Sequence, residues 1–269
     1  MELSFSLSAL PLLRQHDFER RFDEREAMRW MRDNWQKTFL FAVAYMVLIF
    51  SGQRVMKERT GYKLRTVLAL WSLSLALFSA IGTHRSWKYV AFVLSTEGFK
   101  QLVCDQTFYI HPTTKLWAYL FVLSKVLELG DTVFIVLRKQ RLMFLHWYHH
   151  VATLIYSWFA YKQSAPGGGL FITMNFTVHT FMYSYYAMRA AGFWVPRYIA
   201  MVITFLQILQ MLVAVIVNIL LLFWMENEIY HTTWSSVLFS SVMYLSYLVL
   251  FCNFFSKTYL TSAKKSKRE

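Results

Sequence analysis

Three histidines lie in a short stretch of the chain that is otherwise apolar enough to cross a bilayer. His146, His149 and His150 belong to the string HWYHH at positions i, i+3 and i+4, so a helix would place them on one face. An ionisable side chain at membrane depth is costly, and it therefore indicates a functional site. A neutral imidazole in such a place can accept an acyl group as a nucleophile, or it can bind a metal ion.

A charged stripe precedes the histidines on the preceding span. Lys125, Glu128 and Asp131 are three residues apart, with Thr132 beside them, and share one helix face. Only a short turn separates this span from the histidines, so the two helices are predicted to be antiparallel neighbours with the acids and imidazoles at similar depth. The charges have two explanations: a structural ion-pair ladder, or groups that hold the imidazoles.

Two later spans place polar side chains at the same predicted depth. The residues are Asn175, His179, Tyr183 and Tyr186 on one span, and Gln207 and Gln210 on the next. A single helical histidine such as His179 is more often a packing residue, although here it shares its stripe with Asn and Tyr. The pattern predicts a chamber with a polar, basic mouth and a closed apolar end, which suits an amphiphile with an anionic head and a fatty tail.

The composition shows how these side chains are positioned. The 269 residues are 57% apolar, 19% aromatic and 16% charged, which is more apolar surface than one soluble core of this size needs. We predict an all-α, polytopic membrane protein with seven transmembrane helices, at 38–55, 64–83, 114–137, 142–161, 170–189, 198–225 and 233–255. Residues 1–36 form a segment before the spans, 37–256 the helical domain, and 257–269 a basic tail. The first span is predicted to be a lipid-facing anchor, and 87–104 an interfacial or re-entrant piece.

The distribution of the net charge of +13 predicts orientation. Most lysines and arginines beside the spans lie on one side, which the positive-inside rule makes cytosolic, so the N-terminus is lumenal. Lys265 and Lys267 have the spacing of a dilysine retrieval signal for the endoplasmic reticulum. The alternative is a basic tail held near anionic lipid. Nucleic acid is excluded as a partner because the charge lies on short loops and not on one contiguous face.

Four strings support a resemblance to a known family. KVLELGDT (125–132), HWYHH (146–150), NFTVHTFMYSYY (175–186) and TFLQILQ (204–210) resemble, in order and spacing, the signature blocks of the very-long-chain fatty acid elongases. The resemblance extends over nearly the whole chain from about residue 30. YSYYAMRAAGF, among other strings, is most similar to the elongase 6 and elongase 3 branch, which implies saturated or monounsaturated acyl chains of about 12 to 16 carbons.

The family implies a fold and a reaction. Its last six helices form a barrel around an acyl tunnel, and it condenses acyl-CoA with malonyl-CoA to a 3-oxoacyl-CoA without a cofactor. The implied partners are the lipid bilayer and the elongation cycle's 3-oxoacyl-CoA reductase, 3-hydroxyacyl-CoA dehydratase and enoyl-CoA reductase, and a homo-oligomer is compatible with the sequence. Relatives often have a cysteine before the last span that pairs with the position of Cys104. That loop reads ENEIYHTTW here and has none.

The resemblance also implies roles for individual residues. His149 is the expected nucleophile, with Asp131 or Glu128 holding its other ring nitrogen. Candidates for holding the malonyl carboxylate and the thioester oxygen are His146, His150, His179, Asn175 and Gln207. The wider substrate-binding set adds Lys125, Tyr183, Tyr186, Gln210, Arg138, Lys139, Arg141 and Arg189, with Arg197 and Lys257 also near the mouth. Topology alone would also place the basic residues there.

Two other classes of protein fit parts of the pattern. A histidine-box di-iron desaturase or hydroxylase fits HxxHH, but such sites recruit about eight histidines, and His16, His84, His111 and His231 are predicted to lie outside the spans. We therefore predict no metal site. A seven-helix receptor or transporter fits the topology, but no internal repeat is evident and the predicted chamber opens on one side only.

Overall fold

The structure, a computed structural model of the chain, describes residues 15–224 and 234–261, and its regular secondary structure in those ranges is entirely helical. The helices are α1 (Asp17–Arg20), α2 (Glu24–Asn34), α3 (Lys37–Met56), α4 (Arg65–Thr96), α5 (Gly98–Cys104), α6 (Lys115–Glu128), α7 (Gly130–Leu137), α8 (Phe144–Lys162), α9 (Gly168–Ala191), α10 (Arg197–Trp224) and α11 (Trp234–Phe255). Short helical turns add Thr107–Tyr109 and Ser256–Leu260. The predicted dilysine signal, most of the loop before the last span and His231 lie outside the described residues.

Four helices within the described ranges are long and apolar enough to cross a membrane: α3, α4, α10, and α11 with its continuation to Leu260. The chain therefore has the character of a membrane protein. The other three predicted spans correspond to α6 with α7, to α8 and to α9, which are the helices that contain the charged stripe, the histidines and the Asn/Tyr stripe. α6 and α7 have 14 and 8 residues, so each is too short to cross a membrane alone, and polar residues lower the hydropathy of α8 and α9.

The third predicted span, 114–137, is interrupted, so its prediction as one helix was wrong. α6 ends at Glu128 and α7 begins at Gly130, and the backbone at the break has tighter i to i−3 hydrogen bonds. A Cβ on Gly130 would lie 2.9 Å from the ring of Trp71. The glycine therefore allows an α4 side chain to approach the backbone at the point where α7 begins.

The second predicted span, 64–83, ended too early. α4 continues for 32 residues to Thr96, and the supposed re-entrant piece is its last turns followed by α5. The sequence misled because Arg85 looked like the end of a span. In the structure Arg85 is buried and its guanidinium donates to the carboxylate of Glu19, so the helix continues past it.

Six helix partnerships organise the packing. α4 packs on α9, α9 on α10, α10 on α11, α11 on α8, α8 on α6, and α6 on α4. α3 lies against α7 and α8, and α2 against α6 and α8. The prediction of α3 as a plain lipid-facing anchor was incomplete, because Tyr45, Ile49 and Met56 on this helix are buried in contact with the bundle. Both cysteines, Cys104 and Cys252, are free.

Candidate active site

A cavity of about 740 Å³ opens among α4, α6, α7, α8, α9, α10 and α11, and we call it the polar chamber. The predicted site residues that line it come from five of these helices or their ends: Glu128, Asp131, Arg138, His146, His149, His150, Asn175, His179, Tyr183, Tyr186, Arg189, Gln207 and Gln210. Side chains up to 82 positions apart in the chain therefore meet around one space, as the depth argument from the sequence required.

A second, narrower cavity of about 60 Å³ adjoins the chamber, and we call it the apolar pocket. Aromatic and aliphatic side chains form most of its wall, and Tyr109, Ala165 and Gly168 are among the residues at its far end. Four residues line both cavities: His149, Asn175, Gln210 and Met211. These four residues therefore lie at the junction of the polar and apolar spaces. Of the four, only His149 has a nucleophilic ring nitrogen.

The prediction that Asp131 orients His149 was wrong. Asp131 accepts hydrogen bonds from Trp71 Nε1 and from the Tyr183 hydroxyl, each at 2.7 Å. His149 Nδ1 is buried and has no hydrogen-bond partner among the described residues, while its ring lies 4.6 Å from that of Tyr247. The hydrogen bonds that Asp131 accepts therefore come from α4 and α9, and none comes from the imidazole in the described part of the chain.

Glu128 also makes no hydrogen bond to His149 in the described part of the chain, and the hydrogen bonds that it accepts come from other side chains. Lys125 Nζ donates to Glu128 Oε1 at 2.7 Å, and the Ser124 hydroxyl donates to the same oxygen at 3.1 Å. His179 Nδ1 lies 3.8 Å from this oxygen. Lys125 also donates to Asn175 Oδ1 at 3.0 Å. The charged stripe is therefore partly the buried ion pair that we considered as the structural alternative, and the pair lies beside the chamber.

His146 is held by hydroxyl groups from α7 and α3. Its Nε2 lies 2.9 Å from the hydroxyl of Thr132 on α7, and that hydroxyl lies 2.7 Å from the hydroxyl of Tyr45 on α3. The ring of His146 also lies 4.4 Å from that of His150, centroid to centroid. Trp71 and Tyr45 were not among the predicted site residues, because each occurs in an apolar span with no local polar pattern.

Three arginines line the chamber at its basic end. Arg138 and Arg189 were predicted there, and Arg65 at the start of α4 joins them. The prediction counted Arg65 only toward orientation, since its loop contains several other basic residues. Guanidinium groups bind phosphate through paired hydrogen bonds, so this end of the chamber suits a phosphorylated head group.

Four other basic residues predicted near the mouth do not line the chamber: Lys139, Arg141, Arg197 and Lys257. Lys139 Nζ donates to the backbone carbonyls of Lys57 and Arg59, each at 2.9 Å, so it links the turn after α7 to the segment after α3. Arg141 is exposed, and neither Lys139 nor Arg141 lines the chamber. The sequence could not separate these roles because each of these basic residues lies in or next to a short basic loop.

The remaining described histidines are outside both cavities. His16, His84 and His111 line neither space, and burial lowers the pKa of His111 to about 4. Within the part of the chain that the structure describes, no group of three or more His, Cys, Asp or Glu side chains is arranged to hold a metal ion.

Fold and site together define an all-helical membrane protein whose histidine-lined polar chamber adjoins an apolar pocket. Comparison with known proteins gives the family. Residues 30–267 match the model of the ELO: GNS1/SUR4 family, and the chain belongs to this family. It is 53% identical over 256 residues to "Very long chain fatty acid elongase 6" of Gallus gallus, covering 95% of this chain and 97% of the relative.

Mammalian relatives give similar values. "Very long chain fatty acid elongase 6" of Homo sapiens is 52% identical, covering 95% of this chain and 97% of the relative. "Very long chain fatty acid elongase 3" of Homo sapiens is 45% identical, covering 95% of this chain and 94% of the relative. The resemblance to the elongases that the four sequence blocks indicated is therefore confirmed, and it extends over nearly the full length of these proteins.

Proposed function

We propose that this chain is the condensing enzyme of fatty acid elongation. It joins a long-chain acyl-CoA to malonyl-CoA and releases a 3-oxoacyl-CoA two carbons longer, carbon dioxide and CoA. Family membership supports an enzyme of fatty acid elongation. The observation that carries the proposal is the position of His149, which lines both the polar chamber and the apolar pocket. An acyl chain lying in the pocket would bring its thioester to this imidazole.

The first half of the reaction is acyl transfer to His149. An unprotonated ring nitrogen attacks the thioester carbonyl, the carbon–sulfur bond breaks, and CoA leaves as the thiolate, which takes up a proton from solvent, while the acylated ring keeps its own proton. Because Nδ1 is buried, Nε2 is the ring nitrogen that attacks the thioester. The apolar surroundings exclude water, which would otherwise hydrolyse an acyl-imidazole.

The second half is decarboxylative attack on the acyl group. Loss of carbon dioxide from malonyl-CoA leaves an electron pair on the adjacent carbon, and this carbanion attacks the acyl carbon while the carbon–nitrogen bond to His149 breaks. No strong base is required. His146, His150, His179, Asn175 and Gln207 line the chamber and are the candidate donors to the malonyl carboxylate and the thioester oxygen.

The two ends of the cavities fit the two ends of an acyl-CoA. We assign the CoA phosphates to the end with Arg65, Arg138 and Arg189, and the fatty tail to the apolar pocket. Along α8, His149 and Tyr161 are twelve residues apart, which is ~18 Å. This distance is comparable to the length of an extended acyl chain of about 12 to 16 carbons, for which the apolar pocket of about 60 Å³ would have to widen. The proposal of saturated and monounsaturated chains is carried by the branch resemblance.

The same proposal includes topology and cellular setting. We propose seven spans, of which the last six surround the acyl tunnel, with a lumenal N-terminus and a cytosolic tail in the endoplasmic reticulum membrane. The packing order of α4, α6, α8, α11, α10 and α9 supports this arrangement. A 3-oxoacyl-CoA product requires reduction, dehydration and a second reduction, so the partners are the three enzymes that perform these steps.

The test uses the purified full-length chain in detergent or nanodiscs. Wild-type protein is expected to condense labelled malonyl-CoA with a series of acyl-CoA lengths, and to accumulate a labelled acyl adduct when malonyl-CoA is omitted. His149→Ala should abolish both the adduct and the product, because the attacking nitrogen is removed. His84→Ala, at an exposed position outside both cavities, is the matched control and should retain activity.

Two results would contradict this proposal in different ways. Persistence of a covalent acyl adduct in His149→Ala would show that another residue is the nucleophile. Failure of the wild-type protein to form any product across the length series would show that the chain is not a condensing enzyme for these substrates.

A further inference from the structure

The first transmembrane helix contributes a side chain to a hydrogen-bond chain that ends at the active site. Tyr45 on α3 is 4% exposed and Thr132 on α7 is fully buried. The hydroxyl of Tyr45 lies 2.7 Å from that of Thr132, which lies 2.9 Å from His146 Nε2. Neither hydroxyl has another hydrogen-bond partner in the described part of the chain. Three helices are therefore connected through a single threonine hydroxyl.

Counting protons shows the direction in which the hydrogen bonds of this Tyr45–Thr132–His146 chain are donated. The Tyr45 hydroxyl has one proton, and its only acceptor within reach among the described residues is Thr132 Oγ1. If Tyr45 donates to Thr132, the one proton of Thr132 is free to be donated to His146 Nε2, and every buried proton has an acceptor. In the opposite direction Thr132 would donate to Tyr45, and the Tyr45 proton would be left buried without an acceptor, which is unfavourable.

The position of Thr132 is not its usual one in a helix. A helical threonine commonly donates its hydroxyl to a backbone carbonyl one turn earlier. Here the hydroxyl lies between Tyr45 and His146 instead. Removal of the Tyr45 hydroxyl would take away one of the two bonds that hold this rotamer, and the backbone carbonyl would then compete for the Thr132 proton.

We propose that Tyr45 is a positioning residue that acts through Thr132 to hold His146 with Nε2 as acceptor and its other ring nitrogen protonated. The inference rests on the proposed condensing function. His146 lines the polar chamber, and its Nδ1 has no protein partner among the described residues. The fixed tautomer therefore leaves an oriented Nδ1–H for the thioester oxygen, on which negative charge develops in the transition state.

The test is a double-mutant cycle on the purified full-length protein. Tyr45→Phe keeps the ring and removes the hydroxyl, Thr132→Val removes the bridging hydroxyl at nearly constant shape, and Thr132→Ser retains it. Tyr89→Phe is the matched control, since Tyr89 is also a buried tyrosine with hydroxyl hydrogen bonds, to Asp105 and Thr107, and lies outside both cavities. Steady-state kcat and the KM for each substrate are measured for all variants.

The expected result is a loss in kcat without a loss in binding. Tyr45→Phe should lower kcat about three- to tenfold with both KM values within about twofold of wild type. Thr132→Val should lower kcat at least as much, and Thr132→Ser should keep about half or more of it. The double variant Tyr45→Phe/Thr132→Val should be no slower than Thr132→Val alone, because both changes break one chain.

Several results would overturn this inference. One is an equal kcat in Tyr45→Phe and Tyr89→Phe. Another is a double variant whose fold-loss in kcat equals the product of the two single fold-losses. If Tyr45→Phe is not recovered as folded protein, Thr132→Val and Thr132→Ser are compared instead. The inference stands when only Thr132→Val has a lower kcat. It is overturned when both variants have a lower kcat, or when neither has. Failure of wild-type condensation would contradict the proposed function instead, before any variant is compared.

Discussion

At the scale of single residues, Asp131 shows how a polar group in a span is used to hold helices together. Its two carboxyl oxygens accept from Trp71 on α4 and Tyr183 on α9, each at 2.7 Å. Gly130 beside it has no side chain, and this allows the Trp71 ring to lie against α7. The carboxyl group therefore connects three helices at the wall of the chamber, and its contribution is to the shape of the site.

Trp71→Phe should destabilise the protein by about 1–3 kcal/mol, because one donor to a largely enclosed carboxyl group is lost. The measurement is the unfolding midpoint of the purified protein in detergent, with acyl-CoA turnover as a second readout. Trp87→Phe is the control, since Trp87 donates from an exposed position to Thr177. Equal small effects of both substitutions would show that the Trp71 bond to Asp131 contributes little.

At the scale of elements, the short helices α1 and α2 are attached to the bundle at the end opposite Arg65, Arg138 and Arg189. The carboxylate of Glu19 is fully buried and accepts from Arg85 of α4 and from Trp117 Nε1 of α6 at 2.7 Å. A second link joins Lys115 Nζ to Glu24 at 2.7 Å. Glu19 is more deeply buried than Glu24, so we expect it to contribute more to the free energy of unfolding.

Glu19→Gln should lower the free energy of unfolding by ~2–4 kcal/mol, since a buried charged group that accepts from Arg85, Trp117 and the backbone of His16 is neutralised. Glu24→Gln should lower it by about 1 kcal/mol or less, because its ion pair is partly exposed and screened by solvent. Denaturant or thermal unfolding of both variants in detergent measures the difference. The prediction is wrong if Glu24→Gln costs as much as Glu19→Gln.

At the scale of the whole molecule, the apolar pocket ends where the loop before α6 meets the start of α9. The Tyr109 hydroxyl donates to the backbone carbonyl of Ala165 at 3.2 Å, and a Cβ on Gly168 would lie 1.8 Å from that hydroxyl. Tyr109 is 1% exposed. The absence of a side chain at Gly168 is therefore what allows the Tyr109 ring to close this end.

Tyr109→Ala should shift product formation toward longer acyl chains, because the deleted ring leaves space at the closed end of the pocket. Tyr109→Phe should keep the wild-type length profile, since the ring that fills the space remains. The measurement is the distribution of products across a series of acyl-CoA lengths, compared as ratios so that a general loss of activity does not affect the result. An unchanged distribution in Tyr109→Ala would show that another part of the wall limits chain length.

The sequence alone determined the helical membrane character, the family resemblance and the polar stripes, because apolar run length and helical period are local properties of the chain. The depth count was also sufficient to bring His146, His149, His179 and Asn175 to one space. Their chemical roles stay predictions, as does the assignment of His149 as nucleophile.

Only the tertiary structure decided which polar group pairs with which. The sequence suggested Asp131 for His149, yet Trp71 and Tyr183 occupy that acid, and Tyr45 from the supposed anchor helix reaches His146 through Thr132. A hydrogen bond depends on about 3 Å between two atoms, and spacing along one helix cannot fix that distance to another helix. The rotation of each helix about its axis sets it, and that rotation results from packing across the whole bundle.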